Sequence, residues 1–195
     1  MEILVVIALA SAIGMVISKF GRDVFSFNRY FSNSLSTSDS AQKLLRPMTA
    51  EIRSASPSNN GAYPIDSIGD YKFSFYSDID NDRLKELVTY TLSGTTLNKE
   101  TTKPTGSPLV YNSANKVTKV FMTGVRNQSD GIPIFTYYSS AYTGGAGGVI
   151  SSSSGSISDI RLVGVKIRID PDVNQSPTTI EVSTQVAIRN LKIQQ

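Results

Sequence analysis

The 195-residue sequence contains no cysteine and no histidine. Without cysteine the chain forms no disulfide bond and offers no thiolate to a metal. Without histidine it has no Ser-His-Asp or Cys-His catalytic group, no imidazole proton shuttle and no zinc site of the usual kind. We therefore expect that the protein is not an enzyme. An exported hydrolase that uses a carboxylate pair such as Asp78 and Asp80 is a minor alternative.

An excess of one charge sign is also missing. Lys and Arg number 19 and Asp and Glu 16, and no dense basic run with interleaved aromatic residues occurs, so no nucleic-acid partner is expected. The composition is 39% hydrophobic and 18% charged, which is typical of exported β-rich proteins. The length suits one globular domain with an extension.

A long apolar run stands at the start of the chain. Only Ser11 and Gly14 interrupt residues Ile3 to Ile17, a stretch somewhat shorter than the roughly 20 residues that span a bilayer. A secretory signal peptide, a buried core helix and a membrane anchor all fit such a run. Met1-Glu2 lacks the basic start of a signal peptide. A plain anchor leaves Glu2 unexplained, because a carboxylate beside lipid is costly without a cationic partner.

The apolar pattern continues beyond the run at steps of three and four residues, which is typical of an amphipathic helix. The recurring positions are Phe20, Val24, Phe27, Phe31, Leu35, Leu45, Met48, Ile52 and Ala55. We predict one helix to about Ala55, with an apolar segment at 1–20 and an amphipathic continuation at 21–55. Pro47 should kink or break it near Lys43 to Arg46, with Asp39 or Ser40 capping a restart.

Short segments of alternating polarity follow, bounded by Gly, Pro, Asn and Asp, and they predict β-strands. A loop is predicted at 56–69, a turn at 78–83, and strands at 71–75, 88–92, 117–122, 132–138, 160–170 and 178–191. The last two strands should form an antiparallel hairpin around the loop from Pro171 to Pro177. The expected fold class is α+β, a long N-terminal helix whose C-terminal half packs on an antiparallel sheet in a head domain at 56–195.

The turn at 78–83 carries three alternating carboxylates. Asp78, Asp80 and Asp82 have the spacing that opens a calcium-binding EF-hand loop. The sixth loop position is Arg83 where glycine is usual, and the twelfth is Thr89 where a bidentate glutamate is usual. An acidic hairpin turn is therefore the favoured interpretation, and calcium is a weak alternative in which Glu86 joins only if the turn folds back. No other cofactor is expected.

Two further motifs fit surface loops better than sites. The Gly/Ser-rich segment at 143–158 lacks the Lys-Ser or Lys-Thr that closes a phosphate-binding loop, so a flexible surface loop is predicted. Asn127-Gln128-Ser129 has the form of a glycosylation acceptor, a tripeptide that also arises by chance.

The start MEILVVIALASAIGMVI resembles the mature start of type IV pilins and type II secretion pseudopilins, and Glu2 matches the glutamate that this family carries there. The segments LLRPMTAEIRSASPSNNGAYPI, FSFYSDIDNDRLKELVTYTLSGTTL and IRLVGVKIRID, followed by STQVAIRNL, are similar to the minor pseudopilin group called J or W. The basic leader and the Phe-Thr-Leu-like residues of the family are missing, so we expect a trimmed or mis-started terminus. The resemblance implies a pilin-like fold in which Glu2 neutralises the N-terminal amine of a neighbouring subunit.

The resemblance also implies partners and a location. The chain would be a pilin or minor pseudopilin that joins copies of itself or other pilin-like subunits in a helical filament, with Ala10 and Gly14 allowing close helix approach. Prepilin peptidase would process it. It would wait in the inner membrane with its head extracytoplasmic, and reach the pilus or cell surface after assembly. The alternative is a membrane-tethered extracytoplasmic binding or adhesion module that does not polymerise.

The side on which the head lies is expected from the resemblance alone. Lys19 and Arg22 follow the apolar run, and by the positive-inside rule they would keep the head cytoplasmic unless a more basic leader preceded the run.

Overall fold

The computed structural model describes residues 2–145, 147–170 and 179–191, and in the helix it describes the side chains at all positions except 8, 9, 26–42 and 44. The chain divides into two compact units, Met1–Asp39 and Ser40–Gln195. One α-helix and nine strands make up the described regular structure, together with three short 3-10 helices at Ser113–Asn115, Ile157–Asp159 and Arg189–Leu191.

The backbone is helical from Glu2 to Arg53 (α1). The break predicted before Pro47 is absent, and so is a restart at Asp39 or Ser40, because these residues lie inside the helix. Pro47 removes one backbone donor from the helix. Leu45 and Met48 flank it and are 4% and 0% exposed, and burial of about 1.5–3 kcal/mol per such side chain offsets that loss. The Phe27, Phe31 and Leu35 side chains of the predicted stripe lie outside the described residues.

The first sheet is an antiparallel meander in which each strand pairs with the next. Its strands are β1 (Ile65–Ile68), β2 (Lys72–Ser77), β3 (Glu86–Ser93), β4 (Thr96–Thr102) and β5 (Lys116–Met122). The turn predicted at 78–83 lies between β2 and β3. Strands β1 and β4 were not predicted. β4 has the sequence TLNKETT, whose polar residues hide the strand period, yet β3 and β5 satisfy its backbone on both sides.

The second sheet has the order β7-β6-β8-β9 and is antiparallel throughout. Its strands are β6 (Phe135–Tyr138), β7 (Val149–Ile150), β8 (Leu162–Ile169) and β9 (Ile180–Ala187). The predicted β8–β9 hairpin is confirmed, with Val163 opposite Val186 and Ile167 opposite Val182. The predicted loop at 171–177 lies outside the described residues. Strand β7 lies in the Gly/Ser-rich segment, so that segment is partly ordered by pairing with β6.

The strands form two sheets where one was predicted. After β5 the chain turns at Gly124, whose φ is +75° and where a Cβ would approach the Asp170 carbonyl oxygen to 3.1 Å. Only an isolated bridge between Val125 and Ile169 follows before β6 begins. Glycine is needed there because other residues rarely adopt that φ and because their Cβ would clash with the Asp170 carbonyl oxygen.

A single hydrophobic core joins both sheets to the end of α1. Met48 and Ile52 are fully buried in it, together with ring clusters from the two sheets. Phe73 of β2 lies 5.6 Å from the ring centroids of both Phe135 and Tyr137 of β6. The α+β class, with an N-terminal helix and antiparallel sheets, is therefore confirmed.

Candidate functional site

The N-terminal part of α1 exposes its apolar side chains on all sides. Large apolar residues between Ile3 and Phe25 whose side chains the structure describes are all exposed, from 48% at Val24 to 75% at Ile3. The segment Glu2–Phe25, 24 residues long, is long and apolar enough to cross a membrane. A core helix within this chain would bury such side chains, so the buried-core interpretation is wrong for the described residues.

The three predicted assembly residues lie on this segment, and all are exposed. Glu2 is in the first turn of α1, where the helix dipole stabilises a negative charge. Ala10 and Gly14 are one turn apart and share a face. A Cβ built at Gly14 meets nothing within 4 Å, so no described atom of the chain covers that position.

The C-terminal end of α1 is held to the first sheet by a partly buried polar cluster. The Tyr90 hydroxyl donates to Glu51 Oε2 at 2.7 Å, and Lys99 Nζ lies 2.5 Å from Glu51 Oε1. Burial, and then the Glu51 charge, raise the pKa of Tyr90 well above its usual range. Asn190 Nδ2 also donates to the Ala55 carbonyl at 2.8 Å. Sequence reasoning missed this cluster because Tyr90 and Lys99 lie 39 and 48 residues from Glu51 in the chain.

The acidic turn between β2 and β3 is organised by its own carboxylates. Asp78 Oδ2 accepts the Arg83 backbone N–H at 3.1 Å, and Asp82 Oδ1 accepts that of Leu84 at 2.8 Å. Asn81 and Arg83 have φ of 61° and 75°. Arg83 thus adopts the left-handed conformation that the sixth position of a calcium loop requires, although it is not glycine.

The fourth carboxylate of the turn comes from Glu86, the first residue of β3. It pairs with Ser77 across the hairpin, and its Oε2 accepts the Ile79 N–H at 3.0 Å. One carboxylate oxygen each from Asp78, Asp80 and Glu86 lies within 4.8 Å of the other two. Burial raises the pKa of Glu86, which is 2% exposed.

The structure therefore groups Asp78 and Asp80 with Glu86, and Asp82 has a different environment. Lys103 Nζ contacts Asp82 Oδ2 and lies 2.9 Å from Asp80 Oδ2. The hydrogen bond from Lys103 lowers the pKa of Asp82 and raises that of Lys103. Thr89, at the twelfth loop position, bonds instead to Ser74 at 2.8 Å. The register of the β2–β3 hairpin, which pairs Ser77 with Glu86, is the signal that would have identified Glu86 as a member of this carboxylate group.

The hypothesis that Asn127 is a glycosylation acceptor is wrong for the folded head. Asn127 is fully buried, and its Nδ2 donates to the Lys166 and Ile132 carbonyls at 2.8 and 3.3 Å. Its Oδ1 accepts the Arg168 N–H at 2.7 Å. The side chain is a structural link between the 126–132 turn and β8, with no surface left for a glycan.

Three features of the described structure bear on function. They are the exposed apolar helix that begins at an acidic residue, the head that buries the other end of that helix, and the acidic turn. No protein-family model matches the chain, and no curated protein matches it either.

Proposed function

We propose that this protein is a pilin-like filament subunit. Its apolar helical segment lies in the inner membrane before assembly, with the head extracytoplasmic, and packs among the equivalent segments of neighbouring subunits afterwards. The head forms the outer part of the filament at the cell surface. In this role the chain performs no catalysis, needs no cofactor, and has homologous or identical subunits and prepilin peptidase as its partners.

The observation that carries the proposal is the exposure of the apolar segment. Apolar surface in water costs about 25 cal/mol per Å², so a helix that exposes isoleucine and phenylalanine all round requires a partner. Lipid is one such partner and a bundle of equal helices is another. A filament subunit needs both in turn.

Glu2 favours the filament over a simple tether. A carboxylate at the start of an apolar helix is costly in a bilayer or bundle unless a cation pairs with it. The N-terminal amine of a neighbouring subunit is a cation of the right kind and depth. The small residues Ala10 and Gly14 add a face on which two helices approach closely.

The resemblance of the segments described above to the minor pseudopilin group called J or W supports a narrower role. A minor subunit would initiate or cap a secretion pseudopilus or a type IV pilus. The pilin-like fold is part of the same proposal. The α+β head, closed on the end of its helix, is compatible with it.

Glu2→Gln tests the proposal against a tethered binding module. It keeps the size of the side chain but leaves the neighbour's amine unpaired, which costs about 3–5 kcal/mol per buried contact. Sheared filaments, quantified by immunoblot, should fall to near background while the membrane-bound pool persists. Glu181→Gln is the matched control, because Glu181 is an exposed glutamate on β9. Filaments at wild-type yield in Glu2→Gln would favour the tether.

The predicted topology has an independent test, since the chain has no native cysteine. Ser113→Cys places one thiol at an exposed position of the head. A membrane-impermeant maleimide should label it in cells with a permeabilised outer membrane and an intact inner membrane. Labelling that requires lysis of the inner membrane would place the head in the cytoplasm and contradict the proposal.

A further inference from the structure

The acidic turn between β2 and β3 contains carboxylate oxygens that no hydrogen-bond donor among the described residues reaches. Glu86 is 2% exposed, and its Oε1 has no partner in the described part of the chain. Asp78 Oδ1 is likewise buried, with no partner from any described residue. Their second oxygens are used, Glu86 Oε2 by the Ile79 N–H and Asp78 Oδ2 by Arg83 and Lys85. A buried carboxylate oxygen without a donor is destabilising, and a bound cation is one group that would satisfy it.

The spacing of the group suits a metal ion. Carboxylate oxygens of Asp78, Asp80 and Glu86 lie within 4.8 Å of one another. Two ligands of one calcium ion, each about 2.3–2.6 Å from it, are at most about 5 Å apart. Asp80 and Glu86 also line a surface cleft of about 320 Å³, whose lining includes Lys99, Lys103 and Lys119.

We propose that the β2–β3 turn binds a calcium ion through Asp78, Asp80 and Glu86. The site differs from an EF-hand, because its buried carboxylate is at the ninth loop position and Thr89 at the twelfth faces another partner. It is independent of the filament proposal, since it lies wholly within the head.

The donor set favours calcium over other metals. All the donors are carboxylate oxygens, and the chain has no histidine or cysteine, the side chains that select zinc. Calcium accepts several protein oxygens in irregular geometry, whereas magnesium keeps a strict octahedron and most of its water. Two carboxylates from the turn and one from the first residue of β3 match the first preference.

Lys103 is the built-in competitor of the ion. Its ammonium lies 2.9 Å from Asp80 Oδ2 and also contacts Asp82, while its side chain is 43% exposed. It extends from the end of β4 and is able to swing into solvent. Exposed ion pairs contribute little to stability, so a divalent ion should displace Lys103. Removing the lysine charge should strengthen calcium binding, and that reverse effect is a sharp test.

The experiment is a calorimetric titration of the full chain in detergent micelles with CaCl2 and, separately, MgCl2, paired with thermal unfolding in each salt. Extracellular calcium modules bind with Kd on the order of 10⁻⁴–10⁻³ M, and we expect that range here. Asp80→Asn and Glu86→Gln, which keep side-chain shape, should weaken binding at least about tenfold, and Lys103→Gln should tighten it by a similar factor. Asp159→Asn, at an exposed aspartate away from the turn, should match wild type.

Calcium should also raise the Tm of wild type and Lys103→Gln but not that of Glu86→Gln. Absence of heat and of any Tm shift in both wild type and Lys103→Gln would overturn the proposal. So would calcium binding that is equal in Asp80→Asn, Glu86→Gln and the Asp159→Asn control, because the ion would then be elsewhere. Equal affinity for magnesium would overturn the assignment to calcium.

Discussion

The segment Glu2–Phe25 and the head differ in whether the chain itself covers their apolar side chains. Both are rich in isoleucine, valine and phenylalanine, yet Ile13 is 58% exposed and Ile52, in the same helix, is fully buried. The head supplies the cover for its own apolar residues from two sheets. None of the described residues covers the segment, and on the filament proposal lipid and then other chains would cover it. On that proposal, identical side chains would serve folding in one region and association in the other.

The largest test of this comparison substitutes the same residue type in both regions. Ile52→Ala removes a buried side chain and should lower the free energy of unfolding of the head by about 2–5 kcal/mol. Ile13→Ala removes an exposed one and should change it by less than about 0.5 kcal/mol. Urea unfolding in detergent, followed by the near-ultraviolet signal of the head, measures both. A large loss of head stability in Ile13→Ala would break the comparison.

A second test uses pH, because the segment contains no tyrosine whereas the head buries several. Burial raises the pKa of Tyr76 to about 12, and it also raises the pKa values of Tyr90 and Tyr137. Phenols of the unfolded chain ionise near pH 10. The stability linked to these groups is therefore complete below pH 10 and is lost as the pH rises towards the folded-state pKa values.

The measurement is the unfolding free energy of the head against pH, with phenolate absorbance recorded in parallel. We expect the Tyr90 and Tyr137 phenolates to appear together with unfolding. Tyr90→Phe should flatten the alkaline loss, since it has one phenol fewer to ionise. Gradual ionisation of every tyrosine at pH 10 in a head that stays folded would contradict the burial of these side chains.

Substitution of Gly14 should have the smallest effect on the stability of the head but should clearly lower filament yield. Gly14→Leu adds bulk where no described atom lies within 4 Å, and leucine favours a helix over glycine by about 0.8–1 kcal/mol. The head should therefore unfold as in wild type, while filament yield falls because neighbouring helices no longer approach closely. Val16→Leu is the control, as it lies two residues further along, on another side of the helix. Equal yields from the two variants would remove Gly14 from the assembly face.

Sequence periodicity was enough to predict an element wherever one face of that element is apolar throughout. The β8–β9 hairpin shows this, since Val163, Val165, Ile167 and Ile169 alternate in sequence and all are buried. The end of α1 shows it too, with Leu45, Met48 and Ile52 at helical spacing. In both elements the burial pattern repeats with the backbone period, and such a pattern is visible in one sequence.

Prediction failed where neighbours, rather than the residues themselves, decide the structure. β4 is polar and is a strand because β3 and β5 pair with both its edges. Helix α1 was predicted to reach about Ala55 with a kink or break near Lys43 to Arg46. It runs to Arg53 without a break, and Leu45 and Met48 are buried on either side of Pro47. Sequence spacing groups Asp82 with Asp78 and Asp80, whereas the hairpin register brings Glu86 close to Asp78 and Asp80.

The sequence by itself determined that an apolar helical segment precedes a β-rich head, and that imidazole and thiol chemistry are absent, because composition and period depend only on the order of residues. The tertiary structure alone decided that the strands divide into two sheets, that Glu51, Tyr90 and Lys99 meet, and that Asn127 is buried. These outcomes depend on contacts between residues far apart in the chain. Such contacts are selected by the packing of the whole core, which no local pattern records.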